Sequence, residues 1–291
     1  MSEKASLHGF GSGLLGVVIF SGSLPATRAA VGSLSPVFLT SARAAIAALL
    51  GALLLKVLRE SRPSRGDLVP LAIVAGGVVV AFPLLTALAL QHMTSARSVV
   101  FVGLLPLATA LFAVVRAGER PRPLFWLFSA LGAATVVAFA LHSNGGEGDT
   151  SLLGDVLMVT AVAACGLGYA EGARLSRRLG GWQVISWSLL LAAPLTVACA
   201  FVTLPPSLAS VSMPAWLGLA YVSVFSMLVG FVFWYRGLAL GGIARVGQLQ
   251  LLQPFFGLAL SALLLGETVA WTMLAATGLV VISVAFARRY G

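Results

Sequence analysis

The chain has 291 residues, of which 59% are hydrophobic and 9% charged, with a mean hydropathy of +1.02. A soluble domain carries charge on about a quarter of its residues, so composition excludes a soluble globular protein and points to one embedded in a bilayer. The net charge of +9 does not mark a nucleic-acid binder, because the basic residues lie between apolar runs, where they read as a topology signal.

Ten apolar runs follow one another, each of roughly 18 to 25 residues and therefore able to cross a hydrocarbon core about 30 Å thick as a helix. Their expected bounds are 8–28, 34–56, 68–90, 95–116, 123–142, 152–174, 182–203, 214–239, 245–265 and 270–288. The first run has no basic cluster before it and nine comparable runs after it, so it reads as a retained span and not a cleaved signal peptide. The expected fold is an all-α polytopic membrane protein of ten transmembrane helices.

Basic residues accumulate on the cytoplasmic side of short loops. With the N-terminus placed there, Arg28 and Arg97 fall on the opposite side and Arg43 falls inside a span, while the rest of the 18 Lys and Arg share the cytoplasmic face. The loop around Glu147 and Asp149 has no base, as an external loop should. Both termini are expected in the cytoplasm.

Segments 96–119 and 244–267 repeat one pattern. Each opens with Ala-Arg, carries a proline ten residues after the alanine (Pro106, Pro254) and closes with Gly-Glu (Gly118-Glu119, Gly266-Glu267), at a constant separation of 148 residues. Fixed-period self-similarity signals duplication. The expected units are residues 1–142 and 151–291, joined by a linker at 143–150 into one integral membrane unit. Five crossings each give the halves opposite topology, an inverted repeat characteristic of secondary transporters. Two similar bundles around a shared cavity can exchange conformations, which is what alternating access needs. No G-x-x-x-x-G-K motif occurs, so ATP hydrolysis by this chain is not expected.

The ten-span pattern, the duplicated five-helix module, the fourth-helix proline followed at twelve and thirteen residues by Gly-Glu, and Gly154-Asp155 opening the second half resemble the drug/metabolite transporter superfamily, EamA type. Within it the chain is similar to the YddG-like exporters of aromatic amino acids. The resemblance implies a basket of ten helices in the bacterial inner membrane around a central cavity, exporting amino acids or related metabolites. Other amphipathic metabolites or drugs are the alternative cargo.

Enzymatic, cofactor and metal roles are not expected. Cys165 and Cys199 lie inside apolar runs without metal-ligand spacing, and His8, His92 and His142 accompany no Glu-x-x-His pattern. The expected partners are a small-molecule substrate and the lipid bilayer, with no nucleic acid; the sequence leaves the oligomeric state open.

Arg43 is the first site candidate. An arginine inside a span costs at least roughly 2.5 kcal/mol on insertion scales unless it finds water or a partner. It either faces the cavity and attracts a carboxylate, or snorkels and bonds carbonyls for structure. Gln250 and Gln253 would share one face of the ninth span at 100° per residue, and serve either as ligand contacts or as interhelical hydrogen bonds. Phe82, Phe101, Tyr169, Trp187, Trp234 and Tyr235 lie well inside spans, and either pack the core or line a pocket for a flat side chain. Pro106 and Pro254 fall near the middle of their spans, where each removes a backbone hydrogen bond and kinks the helix, for gating or for packing. Glu119 and Glu267 read as capping or interfacial end groups, Asp155 as a carboxylate at the positive end of a helix, and Glu171 as the ion-pair partner of Arg174.

Overall fold

A bilayer offers no water to unpaired backbone groups, so long apolar runs satisfy their N–H and C=O groups internally, as helices. In a computed structural model that describes residues 3–117, 122–143, 151–241 and 248–289, every regular element is helical. Six helices are long and apolar enough to cross a membrane: His8–Val31, Pro36–Val57, Arg65–Ala89, Leu152–Ser176, Gly181–Val202 and Met213–Trp234. Four shorter apolar helices accompany them, Ser95–Thr109, Pro123–Phe139, Leu249–Leu265 and Trp271–Phe286. All fall in order on the apolar runs of the sequence. Six of those runs therefore reach the length of a full crossing among the described residues.

The helix starts follow local chemistry. Ser35 accepts the Phe38 N–H at 3.2 Å ahead of α3 (Pro36–Val57), with Pro36 at the first helical position, where its missing N–H costs nothing. Thr94 accepts the Arg97 N–H at the head of α6 (Ser95–Val102), and Ser151 the Gly154 N–H at the head of α9 (Leu152–Leu179).

Several rods are interrupted. The first breaks at Gly22 between α1 (Glu3–Ser21) and α2 (Ser23–Val31). The third carries a π-helical segment, Ala75–Ala81, between α4 (Leu68–Val74) and α5 (Phe82–Ala89). The fourth breaks at Gly103 and Leu104 between α6 and α7 (Leu105–Ala117). After α10 (Gly181–Val202), α11 (Met213–Tyr221) passes through a second π segment, Val222–Val229, into α12 (Gly230–Gly241). A 3-10 turn, Gln248–Leu252, precedes α13 (Gln253–Leu265). The remaining helices, α8 (Pro123–Ser143) and α14 (Trp271–Arg289), are continuous.

These irregularities keep the spacing of the sequence repeat. Leu105 and Gln253, which open α7 and α13, are 148 residues apart, as are Pro123 and Trp271, which open α8 and α14. The two π segments likewise end 148 residues apart, at Ala81 and Val229.

The most extensive helix pairings, α1 on α12, α3 on α10, α8 on α14 and α7 on α9, all join residues before the 143–150 stretch to residues after it. One buried cluster fills the centre from Val17 and Phe20 through Leu71, Val79, Ile185 and Leu189 to Met227 and Trp234. A second surrounds Met93, Phe101, Phe125, Phe139, Met158 and Val280, and a third Leu34, Phe38, Leu39 and Leu219. Leu49, Leu53, Phe201 and Leu263 are exposed, as expected of residues that face lipid tails. Because lipid is as apolar as leucine, close packing holds such helices together. At Gly77 a Cβ would lie 2.4 Å from the Ala164 carbonyl oxygen, so the π segment and α9 meet backbone to backbone.

Candidate functional site

The interruptions converge on one cavity. Phe20, Ser23, Leu24 and Thr27 line it from both sides of the Gly22 break, and Val78, Phe82, Pro83 and Thr86 from the first π segment onward. Val102 and Leu105 flank the break in the fourth rod, Ser226, Met227 and Phe231 come from the second π segment and its exit, and Gln253 opens α13. The continuous helices contribute only Arg43 from α3 and Cys165 and Tyr169 from α9. The enclosed volume is about 40 Å³, well below the roughly 300–1,000 Å³ of small-molecule sites, so the walls must separate before a substrate enters.

Irregular backbone at membrane depth is tolerated where it lines a cavity or is satisfied by other groups. Here the Tyr221 hydroxyl donates to the Ile19 carbonyl at 2.7 Å, next to the Gly22 break. Ser21 Oγ lies 2.7 Å from the Val17 carbonyl and 3.3 Å from that of Gln253. Thr27 and Thr86 donate back to the carbonyls of Ser23 and Phe82, a pattern that accompanies bent helices.

Among the described residues of the lining, Arg43 is the only ionised side chain and none is Asp or Glu. It is 6% exposed. Its Nη2 donates to Ser226 Oγ at 3.3 Å, and Ser226 in turn shares a 2.7 Å hydrogen bond with Ser23 Oγ. Its Nε is buried without a hydrogen-bond partner. A guanidinium carries five N–H donors in a fixed fork that matches a carboxylate, so this one holds unused donors toward the cavity. Aromatic rings form the adjoining wall: Phe20 and Phe231 meet edge to face at 5.0 Å between centroids, and Tyr169 and Phe231 at 6.1 Å.

The structure brings Arg43, Phe82, Tyr169 and Gln253 together and leaves the other candidates elsewhere. Phe101 is buried beside Phe139, with ring centroids 6.5 Å apart, outside the cavity lining. Trp187 lines a surface groove with Arg62, Pro63 and Leu71. Trp234 is buried behind the wall, 6.5 Å from the Phe20 ring, and the Tyr235 side chain lies outside the described residues. Gln250 is buried on the 3-10 turn with its Nε2 unpartnered and is not a lining residue. Pro106 and Pro254 each stand second in a half-helix, after the break and not within an unbroken helix. At that position the missing N–H leaves no hydrogen bond unmade. The two breaks also touch, since a Cβ on Gly103 would lie 3.6 Å from Pro254 Cγ.

Sequence reasoning missed Phe20, Ser23, Thr27, Thr86, Ser226 and Phe231. Small hydroxyls inside apolar runs were the available signal, and Ser23 directly follows the Gly22 break.

At one end of the rods, Glu267 caps α6 by accepting the N–H groups of Ser95 and Ala96. Arg97 forms a bidentate pair with Asp155, Nε to Oδ1 at 3.1 Å and Nη2 to Oδ2 at 2.7 Å, both side chains buried. Elsewhere Arg178 pairs with Asp67, and Arg174 with the buried Glu171 at 2.6 Å. Glu119 lies outside the described residues.

The EamA-like transporter family model matches the chain twice, over residues 8–141 and 152–289. The uncharacterized transporter YdeK of Bacillus subtilis (strain 168) is 59% identical over 283 residues, covering 97% of this chain and 98% of that protein. A solved crystal structure at 20% identity, with 98% of each chain covered and a TM-score of 0.65, shares the fold. The chain is a polytopic helical membrane protein and belongs to the EamA-like transporter family.

Proposed function

We propose that the protein is a secondary transporter that exports amino acids, aromatic or other large apolar ones, by alternating access across the bacterial inner membrane. The observation that carries this reading is Arg43, a buried guanidinium with an unpartnered Nε in a cavity with no acid among its described lining residues and walled by Phe20, Phe82, Tyr169 and Phe231. An amino acid always brings a carboxylate for the guanidinium, and a large apolar side chain suits the rings.

Ten crossings, arranged as inverted halves at residues 1–142 and 151–291 with both termini in the cytoplasm, are the architecture this reading uses. It is supported by helix breaks and π segments that recur at 148 residues and line the cavity. Discontinuous helices around a midplane site are a recurrent device of secondary transporters. Pro106 and Pro254, at matching places beside mutually touching breaks, suit hinge positions. Export as the net direction rests on the likeness to the YddG-like exporters.

The test is uptake of labelled tryptophan, phenylalanine, threonine and a non-amino-acid drug by proteoliposomes, with and without a pH gradient. Transport of an apolar amino acid is expected. Transport of the drug alone would replace this reading with export of other amphipathic compounds.

A further inference from the structure

We propose that the cavity recognises its substrate through the carboxylate and is indifferent to the α-amino group. The inference rests on the reading that a small carboxylate-bearing metabolite occupies this cavity, and it narrows the substrate class to organic carboxylates, zwitterionic or plainly anionic, against amines.

Charge balance in the lining carries it. A guanidinium that is 6% exposed, with one hydrogen bond and a buried unpartnered Nε, sits in a space where no described lining residue carries a carboxylate. The cavity is thus electrostatically incomplete by one negative charge. A carboxylate fills that deficit and uses the idle donors. An ammonium gains no counter-ion and feels the Arg43 charge, which is poorly screened away from water.

The remaining polar groups do not alter this balance. Thr27 and Thr86 have committed their hydroxyl protons to the carbonyls of Ser23 and Phe82, and Ser23 and Ser226 are bonded to each other. These are neutral dipoles, and they offer an ammonium lone pairs without a countercharge. Ring faces are a weaker substitute for an anion, and the apolar side chain competes for them. The same balance disfavours cationic amphipathic drugs.

Three compounds of similar shape separate the contributions: L-phenylalanine, 3-phenylpropionate, which lacks the amino group, and phenethylamine, which lacks the carboxylate. Binding of each to the full chain in nanodiscs is measured directly by calorimetry. The expected result is that 3-phenylpropionate binds within about tenfold of L-phenylalanine, while phenethylamine binds at least about tenfold more weakly than either. Arg43→Gln should remove the preference for the two acids over the amine, and Arg43→Lys, which keeps the charge, should retain part of it. Unfolding midpoints of both variants show whether they are folded. Phenethylamine binding as tightly as the acids, or folded Arg43→Gln keeping the preference, would overturn the proposal. Binding of 3-phenylpropionate without phenylalanine would sink the amino-acid reading and, by showing that the amino group is rejected, overturn this proposal too, whereas equal binding of all three would overturn this proposal alone. Failure of all three compounds to bind would sink both.

Discussion

Glu267, in the turn that follows α13, accepts the backbone N–H groups of Ser95 and Ala96 at 3.0 and 2.8 Å and the Ser95 hydroxyl at 2.9 Å. A carboxylate from one half of the chain thereby caps the first turn of a helix in the other, where orphan N–H groups and the positive helix end favour it. Ser95 is fully buried, so water cannot replace the cap. Glu267→Ala should lower stability by about 1–2 kcal/mol, and Glu267→Gln, which keeps an acceptor, should lose less. Unfolding in detergent measures both; an unchanged midpoint for the alanine variant would show that the cap contributes nothing.

The Arg97–Asp155 pair should behave differently from a surface ion pair. Both side chains are buried, at 3% and 5% exposure, and the Arg97 guanidinium lies 5.1 Å from the centre of the Phe139 ring. Removing one partner strands the other charge, so Asp155→Asn or Arg97→Leu should each cost about 3–5 kcal/mol. The double Arg97→Leu/Asp155→Asn variant should cost clearly less than the two together. Additive losses in the same unfolding assay would contradict a coupled pair.

Gly76 and Gly77 are adjacent in the first π segment and make opposite predictions. A Cβ at Gly77 meets the Ala164 carbonyl oxygen at 2.4 Å, and one at Gly76 meets nothing within 4 Å. Gly77→Ala should cost about 1–3 kcal/mol by forcing the two backbones apart, whereas Gly76→Ala should be neutral or slightly favourable. Folded yield and unfolding midpoint, read side by side, distinguish the two.

Arg43 should trade stability against binding. A cation without a counter-ion in the hydrocarbon region costs roughly 2.5–3.5 kcal/mol on insertion scales, and Arg43 lies within a span. Arg43→Met should therefore unfold later than the natural protein in the absence of substrate, while losing the stabilisation that an added carboxylate gives by mass action. An Arg43→Met protein that is less stable, or that still responds to substrate, would assign Arg43 a structural role.

How much of this was legible depends on how local the cause was. The proline and Gly-Glu spacing exposed the duplication because breaks and helix starts are fixed by neighbours in sequence: Leu105 and Gln253 open their half-helices at the same separation. Arg43 stood out because a cation in an apolar run has no bland surroundings. The Val222–Val229 segment, by contrast, contains neither Gly nor Pro, and its π geometry arises from packing that the sequence does not print. Arg97 and Asp155 were each given separate roles, since only the folded chain brings residues 58 apart together. Ser23, Thr86 and Ser226 look like ordinary small residues until the helix breaks turn them toward one space.

In the proposed function a carboxylate-bearing substrate crosses the membrane through the cavity around Arg43. Uptake of labelled L-phenylalanine by proteoliposomes containing equal amounts of natural protein, Arg43→Gln or Trp187→Phe tests it most directly. Trp187 lies in a surface groove outside the cavity. The expected result is transport by the natural protein, little change in Trp187→Phe, and a fall of about tenfold or more in Arg43→Gln, the loss of one charge-assisted contact. Arg43→Gln transporting at the natural rate would contradict it.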